Sequence, residues 1–148
     1  GPGLYNLGNT CFVNATLQCL GYLPPLAQHL LAGPHSQTAV GRCSSPKVVS
    51  GYSSMCLHAL QLMACRIHNG VGPNPGAISP TGVVRKLSTI SAQFRLGKQE
   101  DCHEFLRHLV DKMVASCILR GDKEDAPDRM AGTTPIQRIF GGSMQSQV

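Results

Sequence analysis

The order of apolar and turn residues predicts an α+β chain that stays almost entirely helical until a strand at its end. Three observations carry this expectation. Apolar residues recur at i, i+3, i+4 and i+7 through several segments, Gly and Pro pairs punctuate those segments, and the last residues alternate in polarity.

The first helix is expected over residues 11–20, with Phe12, Val13, Thr16, Leu17 and Leu20 on one side. Gly21 and Pro24-Pro25 stop it. A short second helix over about residues 25–32 uses proline near its start and Gly33-Pro34 after its end. Residues 34–52 are polar and rich in turn pairs, so a loop is expected there. The third helix, about 53–68, carries the stripe Cys56, Leu57, Leu60, Met63, Ala64 and Ile67, and Asn69-Gly70 ends it. After a Gly/Pro-rich connection, Ser79-Pro80 reads as a cap and first-turn proline for a fourth helix, with Val83, Val84, Leu87 and Ile90 inward. The fifth helix, 101–120, has the most complete stripe, which includes Cys102, Phe105, Leu106, Leu109, Val110, Met113, Val114, Cys117 and Ile118. A charged loop over 121–135 follows. Residues 136–148 read as extended, Met144 and Val148 on one face and Gln145 and Gln147 on the other. A lone terminal strand is expected to belong to a larger sheet beyond this sequence.

Composition narrows the function classes. Hydrophobic residues make up 42% of the 148 and charged residues 14%, the balance of a globular chain. No apolar run approaches the ~20 residues that span a bilayer, and residues 1–9 carry no secretion signal. No membrane partner is expected. The net charge is +5, yet its basic residues are scattered, Trp is absent and Tyr numbers three. A nucleic-acid surface clusters such groups, so none is expected. The seven cysteines are odd in number and show no paired spacing, which points to a reducing compartment, cytoplasm or nucleus.

The chemistry concentrates in the run Gly3-Leu4-Tyr5-Asn6-Leu7-Gly8-Asn9-Thr10-Cys11-Phe12-Val13-Asn14-Ala15, where a loop enters the first helix. A cysteine in a first helical turn feels the partial positive charge of unpaired N–H groups, which favours the nucleophilic thiolate. The same N–H groups can meet a developing oxyanion, and Asn6 could add a side-chain amide donor. A helix start with Asn9 or Thr10 as a plain cap and an inert Cys11 fits the same residues. Further along, Asp101 and Glu104 have the spacing of a capping box with Asp in place of Ser or Thr. They also share a helix face, from which two carboxylates can grip a guanidinium group.

Taken with Leu17, Gln18, Cys19 and Leu20, the first run resembles the cysteine box of the ubiquitin-specific proteases, with Val13 where Met is usual. Gln99-Glu100-Asp101-Cys102-His103-Glu104-Phe105-Leu106 resembles the family's second box, with Cys102 where Ala is usual. Ile139-Phe140-Gly141-Gly142, with Ser146 and Val148, resembles the start of the segment leading to the finger region. The resemblance implies one partial catalytic domain over 1–148, with boxes at 3–20 and 99–106 and a finger strand beginning in 136–148. It implies a papain-like cysteine protease of which this chain is mainly the helical thumb lobe. It further implies that Cys11 is the nucleophile, that Asn6 serves the oxyanion hole, and that Asp101 and Glu104 hold the arginine-containing tail of ubiquitin. The partners implied are ubiquitin and ubiquitinated proteins, and the reaction is thiol-dependent deubiquitination. The alternative is a catalytically inactive ubiquitin-binding module or truncated isoform.

The family's histidine stands in a Gly-His-Tyr context that this sequence lacks. Its six histidines are His29, His35, His58, His68, His103 and His108, none with a spacing that marks a general base, although His103 neighbours the acidic pair. The isolated chain is therefore expected to be inactive. The family's zinc-binding CxxC pairs are also absent from this stretch. His35, Cys43, Cys56 and His58 form no CxxC set, so no metal and no cofactor are expected.

Overall fold

The computed structural model describes residues 2–32, 54–69, 76–118 and 134–146. Its elements are α1 (Cys11–Gly21), α2 (Pro24–Leu31), α3 (Ser54–Asn69), α4 (Thr81–Val84), α5 (Leu87–Ile90), α6 (Cys102–Ile118) and α7 (Pro135–Phe140). The loop expected over 34–52 and residues 121–133 of the loop expected over 121–135 lie outside the described residues, whereas Thr134 and Pro135 open a helix.

Helix α1 buries Phe12, Val13, Thr16, Leu17 and Leu20, the stripe its periodicity foretells. Where it ends, Gly21 permits close approach to α3, since a Cβ there would lie 2.7 Å from Ile67 Cδ1. The Gly21 carbonyl has no partner further along its own helix and accepts from His68 Nε2 at 2.7 Å. Pro24 then opens α2 at its first position, where a missing N–H costs nothing.

The expected fourth helix divides into α4 and α5. Lys86 N–H donates to Val83 O at 2.8 Å and Thr89 N–H to Lys86 O at 2.9 Å, tight three-residue turns that bend the path. Bent in this way, Val83 and Val84 on one piece and Leu87 and Ile90 on the other are all buried. Ser79 is not the cap. Pro80 occupies that position, and its carbonyl accepts from Val83 and Val84.

Helix α6 crosses the centre of the core, with Phe105, Leu109 and Met113 at successive four-residue steps and fully buried. Phe105 lies 5.4 Å from Phe12 and 5.5 Å from Phe94 between ring centroids, and Phe12 and Phe94 are 6.1 Å apart. This triangle joins α1, α6 and the loop after α5.

Among the described residues of the segment 136–148, the expected terminal strand does not form. Thr134 Oγ1 accepts from Gln137 N–H at 3.2 Å, Pro135 occupies a first-turn position, and residues 135–140 close into α7. Cap and proline together outweigh an alternation that starts only after Gly141-Gly142. Ile136 is wholly buried by that helix, while Met144 beyond it is fully exposed. Among the described residues there is no strand ladder, only a parallel bridge between Leu4 and Ile78. In it Tyr5 N–H donates to Ile78 O at 3.0 Å and Ile78 N–H to Gly3 O at 2.8 Å. The described part is the helical lobe that was expected, without the terminal strand, and its one bridge steadies the segment that leads into α1.

Replacing Phe105 by Ala removes the apex of the aromatic triangle and is expected to cost about 3–5 kcal/mol. Urea unfolding followed by circular dichroism measures it, and a loss under about 1 kcal/mol would contradict the central placement of this ring.

Candidate active site

The loop from Gly3 to Thr10 has almost no regular backbone pairing, and one side chain organises it. Asn6 Oδ1 accepts from Gly8 N–H at 3.2 Å, Thr10 N–H at 3.0 Å and Thr10 Oγ1 at 3.1 Å. The Thr10 hydroxyl in turn accepts from Leu7 N–H at 2.9 Å. To close around that oxygen the chain passes through positive φ at Gly8 (98°) and Asn9 (52°), where Gly is at ease and Asn is tolerated. Backbone N–H groups can pair only with the oxygen of a carboxamide, so the orientation of Asn6 is determined. Its Nδ2 sits on the other side and donates to nothing among the described residues.

Cys11 is the first residue of α1 and its side chain is exposed. Thr10 is the N-cap residue, but its hydroxyl is engaged in the preceding loop and gives the helix no side-chain cap. The first-turn amides beside Cys11 are therefore left without that acceptor, a setting suited to an anionic oxygen. Phe12, the next residue, points into the aromatic triangle and so turns Cys11 away from the core.

Two amides on α1, one turn apart, hold the chain before the loop. Asn14 Nδ2 donates to Leu4 O at 3.3 Å and Tyr5 O at 3.1 Å, and Gln18 Nε2 donates to Pro2 O at 2.9 Å. Sequence reasoning had no role for Asn14 or Gln18. The signal available was two amides at i and i+4 on a helix whose opposite side is apolar.

The second box comes to the same place. Asn9 Nδ2 donates to Gly97 O at 2.8 Å across 88 positions of sequence, with Gly97 itself at φ 87°. Two residues on, Gln99 Nε2 lies 3.7 Å from Cys11 Sγ. Thr16 Oγ1 donates to Phe12 O at 2.9 Å and reaches Cys102 O at 3.5 Å, so α1 also touches the start of α6. Asp101 Oδ1 accepts from Glu104 N–H at 2.9 Å, which realises half of the capping box. The returning half is not made among the described residues, and Glu104 is half-buried beside an exposed Asp101. Capping occupies one oxygen of Asp101 and leaves the other, with the Glu104 carboxylate, for another partner. Lys98 and Glu100, at 2.6 Å, pair with each other on the same loop.

The family model described as ubiquitin carboxyl-terminal hydrolase matches residues 2–148. The chain belongs to the ubiquitin carboxyl-terminal hydrolase family. It is 42% identical to human ubiquitin carboxyl-terminal hydrolase 42 over its full length, which is 10% of that protein. It is 39% identical over 99% of its length to the probable ubiquitin carboxyl-terminal hydrolase 16 of Schizosaccharomyces pombe, of which it covers 30%. A human relative named inactive ubiquitin carboxyl-terminal hydrolase 17-like protein 8 is 39% identical over the full chain, 24% of its own length. The chain thus spans between a tenth and just under a third of these relatives.

Within this hydrolase-family lobe no described histidine bonds the Cys11 sulfur, whose hydrogen bond comes from Gln99. His68 is engaged with Gly21, His108 meets the Phe94 ring edge-on at 5.6 Å, and His103 is exposed on the first turn of α6. His35, Cys43 and the side chains of Cys56 and His58 lie outside the description. Among the described residues no three His, Cys, Asp or Glu side chains gather as a metal set, and no helix is long and apolar enough to cross a membrane.

The cap predicts a separable effect at Asp101. Asp101→Ala is expected to destabilise the chain by about 1 kcal/mol, whereas Asp101→Asn keeps an acceptor oxygen and stays within a few tenths. Thermal unfolding of the two variants checks this, and equal losses would contradict the capping role.

Proposed function

We propose that this chain carries the nucleophile of a thiol-dependent deubiquitinase. The observation that carries the reading is an exposed Cys11 sulfur at an uncapped helix start, beside a carboxamide whose oxygen is held away and whose N–H₂ donates to nothing among the described residues. In the proposed reaction Cys11 Sγ attacks the carbonyl carbon at the C-terminal glycine of ubiquitin. The carbonyl π pair moves onto oxygen, where Asn6 Nδ2 and the first-turn N–H of α1 receive it. Collapse breaks the C–N bond, and the amine leaves with the proton that the thiol gave up. Water then attacks the thioester, freeing the ubiquitin carboxylate and restoring the thiol. The proton is carried by a histidine from the remainder of the full-length protein, as the papain-like family pattern implies.

Asp101 and Glu104 supply the other half of the reading. Their carboxylates hold the arginine-containing tail of ubiquitin so that its end enters beside Cys11. Asp101 can cap α6 through Oδ1 and still offer its second oxygen.

A human relative that is named inactive favours a second reading, in which a chain of this kind binds ubiquitin without cleaving it. Ubiquitin bearing a C-terminal electrophile separates the two. Under the proposed function the full-length protein gains one ubiquitin at Cys11, located by peptide mass spectrometry, and Cys11→Ser abolishes the adduct. Asp101→Asn, which keeps its fold, is expected to slow capture about tenfold through loss of a charged hydrogen bond. A full-length protein that binds ubiquitin yet stays unmodified at Cys11 would establish the binding module instead.

A further inference from the structure

We propose that Gln99 is a catalytic residue of this site: its Nε2–H group donates to the Cys11 sulfur and holds it in the attacking position. The proposal rests on Cys11 being the nucleophile. It assigns a role to a side chain that neither loop geometry nor helix capping requires.

The contact is 3.7 Å, within reach of a hydrogen bond to sulfur, and it joins residues 88 apart in sequence. Gln99 is exposed, so burial does not force its amide against the thiol. The backbone that presents it is nonetheless fixed on both sides. Phe94 is fully buried against Phe12, the carbonyl of Gly97 accepts from Asn9, and Asp101 caps α6. Asn9 itself lies between Asn6 and Cys11, so one tether sets the distance between the donor and the sulfur. The Lys98–Glu100 pair keeps the neighbouring charges occupied with each other, leaving a neutral amide facing the sulfur.

The chemistry favours this donor at the start of the reaction. A hydrogen bond to sulfur strengthens when the sulfur carries negative charge and weakens when a thioester forms. Gln99 therefore supports the sulfur before attack and releases it once the S–C bond is made. Asn6 and the α1 amides act on the carbonyl oxygen, a different atom, so the two sets of donors do not compete.

The test uses the whole chain with iodoacetamide, read at each cysteine by peptide mass spectrometry. Exposed Cys19 serves as the internal reference and half-buried Cys65 as the reporter of the fold. Gln99→Ala removes the donor without adding charge and is expected to slow Cys11 alkylation about 3–10-fold relative to Cys19, and Gln99→Glu more than tenfold. A Cys11-to-Cys19 ratio unchanged in Gln99→Ala would overturn the proposal. Faster alkylation of Cys65 marks a variant that has lost its fold, and the ratio in the other variant then decides. Ubiquitin with a C-terminal electrophile keeps the two readings apart in the unsubstituted full-length protein. Capture at Cys11 of the full-length protein with an unchanged ratio in the variants removes only the role of Gln99, whereas no capture at Cys11 of the full-length protein removes the nucleophile and this role with it.

Discussion

Everything in this lobe that bears on chemistry depends on Phe12 packing against Phe94 and Phe105. Consecutive residues of an α-helix point about 100° apart, so a ring driven into the core at position 12 turns position 11 toward solvent. Phe94 precedes the loop that carries Gly97 and Gln99, and Phe105 follows the Asp101 cap by four residues. A single apolar cluster thereby brings the cysteine loop and the acidic helix start to one place. Burying aromatic rings of this size is among the larger favourable terms available to a small lobe.

Around that cluster, neutral amides carry out the fine positioning. A loop with little backbone pairing must still satisfy its N–H and C=O groups. Asn6 collects three donors, Asn9 reaches the Gly97 carbonyl, and Asn14 and Gln18 hold the carbonyls of residues 2, 4 and 5. Carboxamides suit this work because each offers both a donor and an acceptor without a net charge. A Lys or Asp in their place would set a full charge within a few bonds of the sulfur and of any oxyanion forming there. Seen in this way, the density of Asn and Gln between residues 6 and 18 is a means of shaping an anion site without a formal charge.

Much of the lobe was legible in the sequence, because its helices announce themselves by apolar spacing. The face of α1 and the buried Phe105, Leu109 and Met113 of α6 follow from period 3.6, whereas Cys102, placed at the head of the α6 stripe, is exposed. Two features escaped. The break at Arg85-Lys86 leaves no mark, since Val83, Val84, Leu87 and Ile90 fit one continuous helix as well as two short ones. Near residue 135, the helix-opening pair Thr134-Pro135 outweighs the alternation further along. In the site, Cys11, Asn6, Asp101 and Glu104 stood out by residue type and by likeness to known boxes. The contacts Asn9–Gly97 and Gln99–Cys11 did not, because no local spacing connects positions 88 apart. Only the folded aromatic cluster makes them neighbours.

The most direct measurement of the central claim, that α1 and Asn6 form a ready-made site for an oxyanion, is a crystal structure of the Cys11 adduct with ubiquitin aldehyde. Its hemithioacetal oxygen occupies the position of the tetrahedral oxyanion. That oxygen is predicted to lie about 2.7–3.1 Å from both Asn6 Nδ2 and the Cys11 backbone nitrogen, with Asn6 Oδ1 still turned to Thr10. An oxygen facing solvent, or an Asn6 carboxamide released from Thr10 and directed elsewhere, would contradict it.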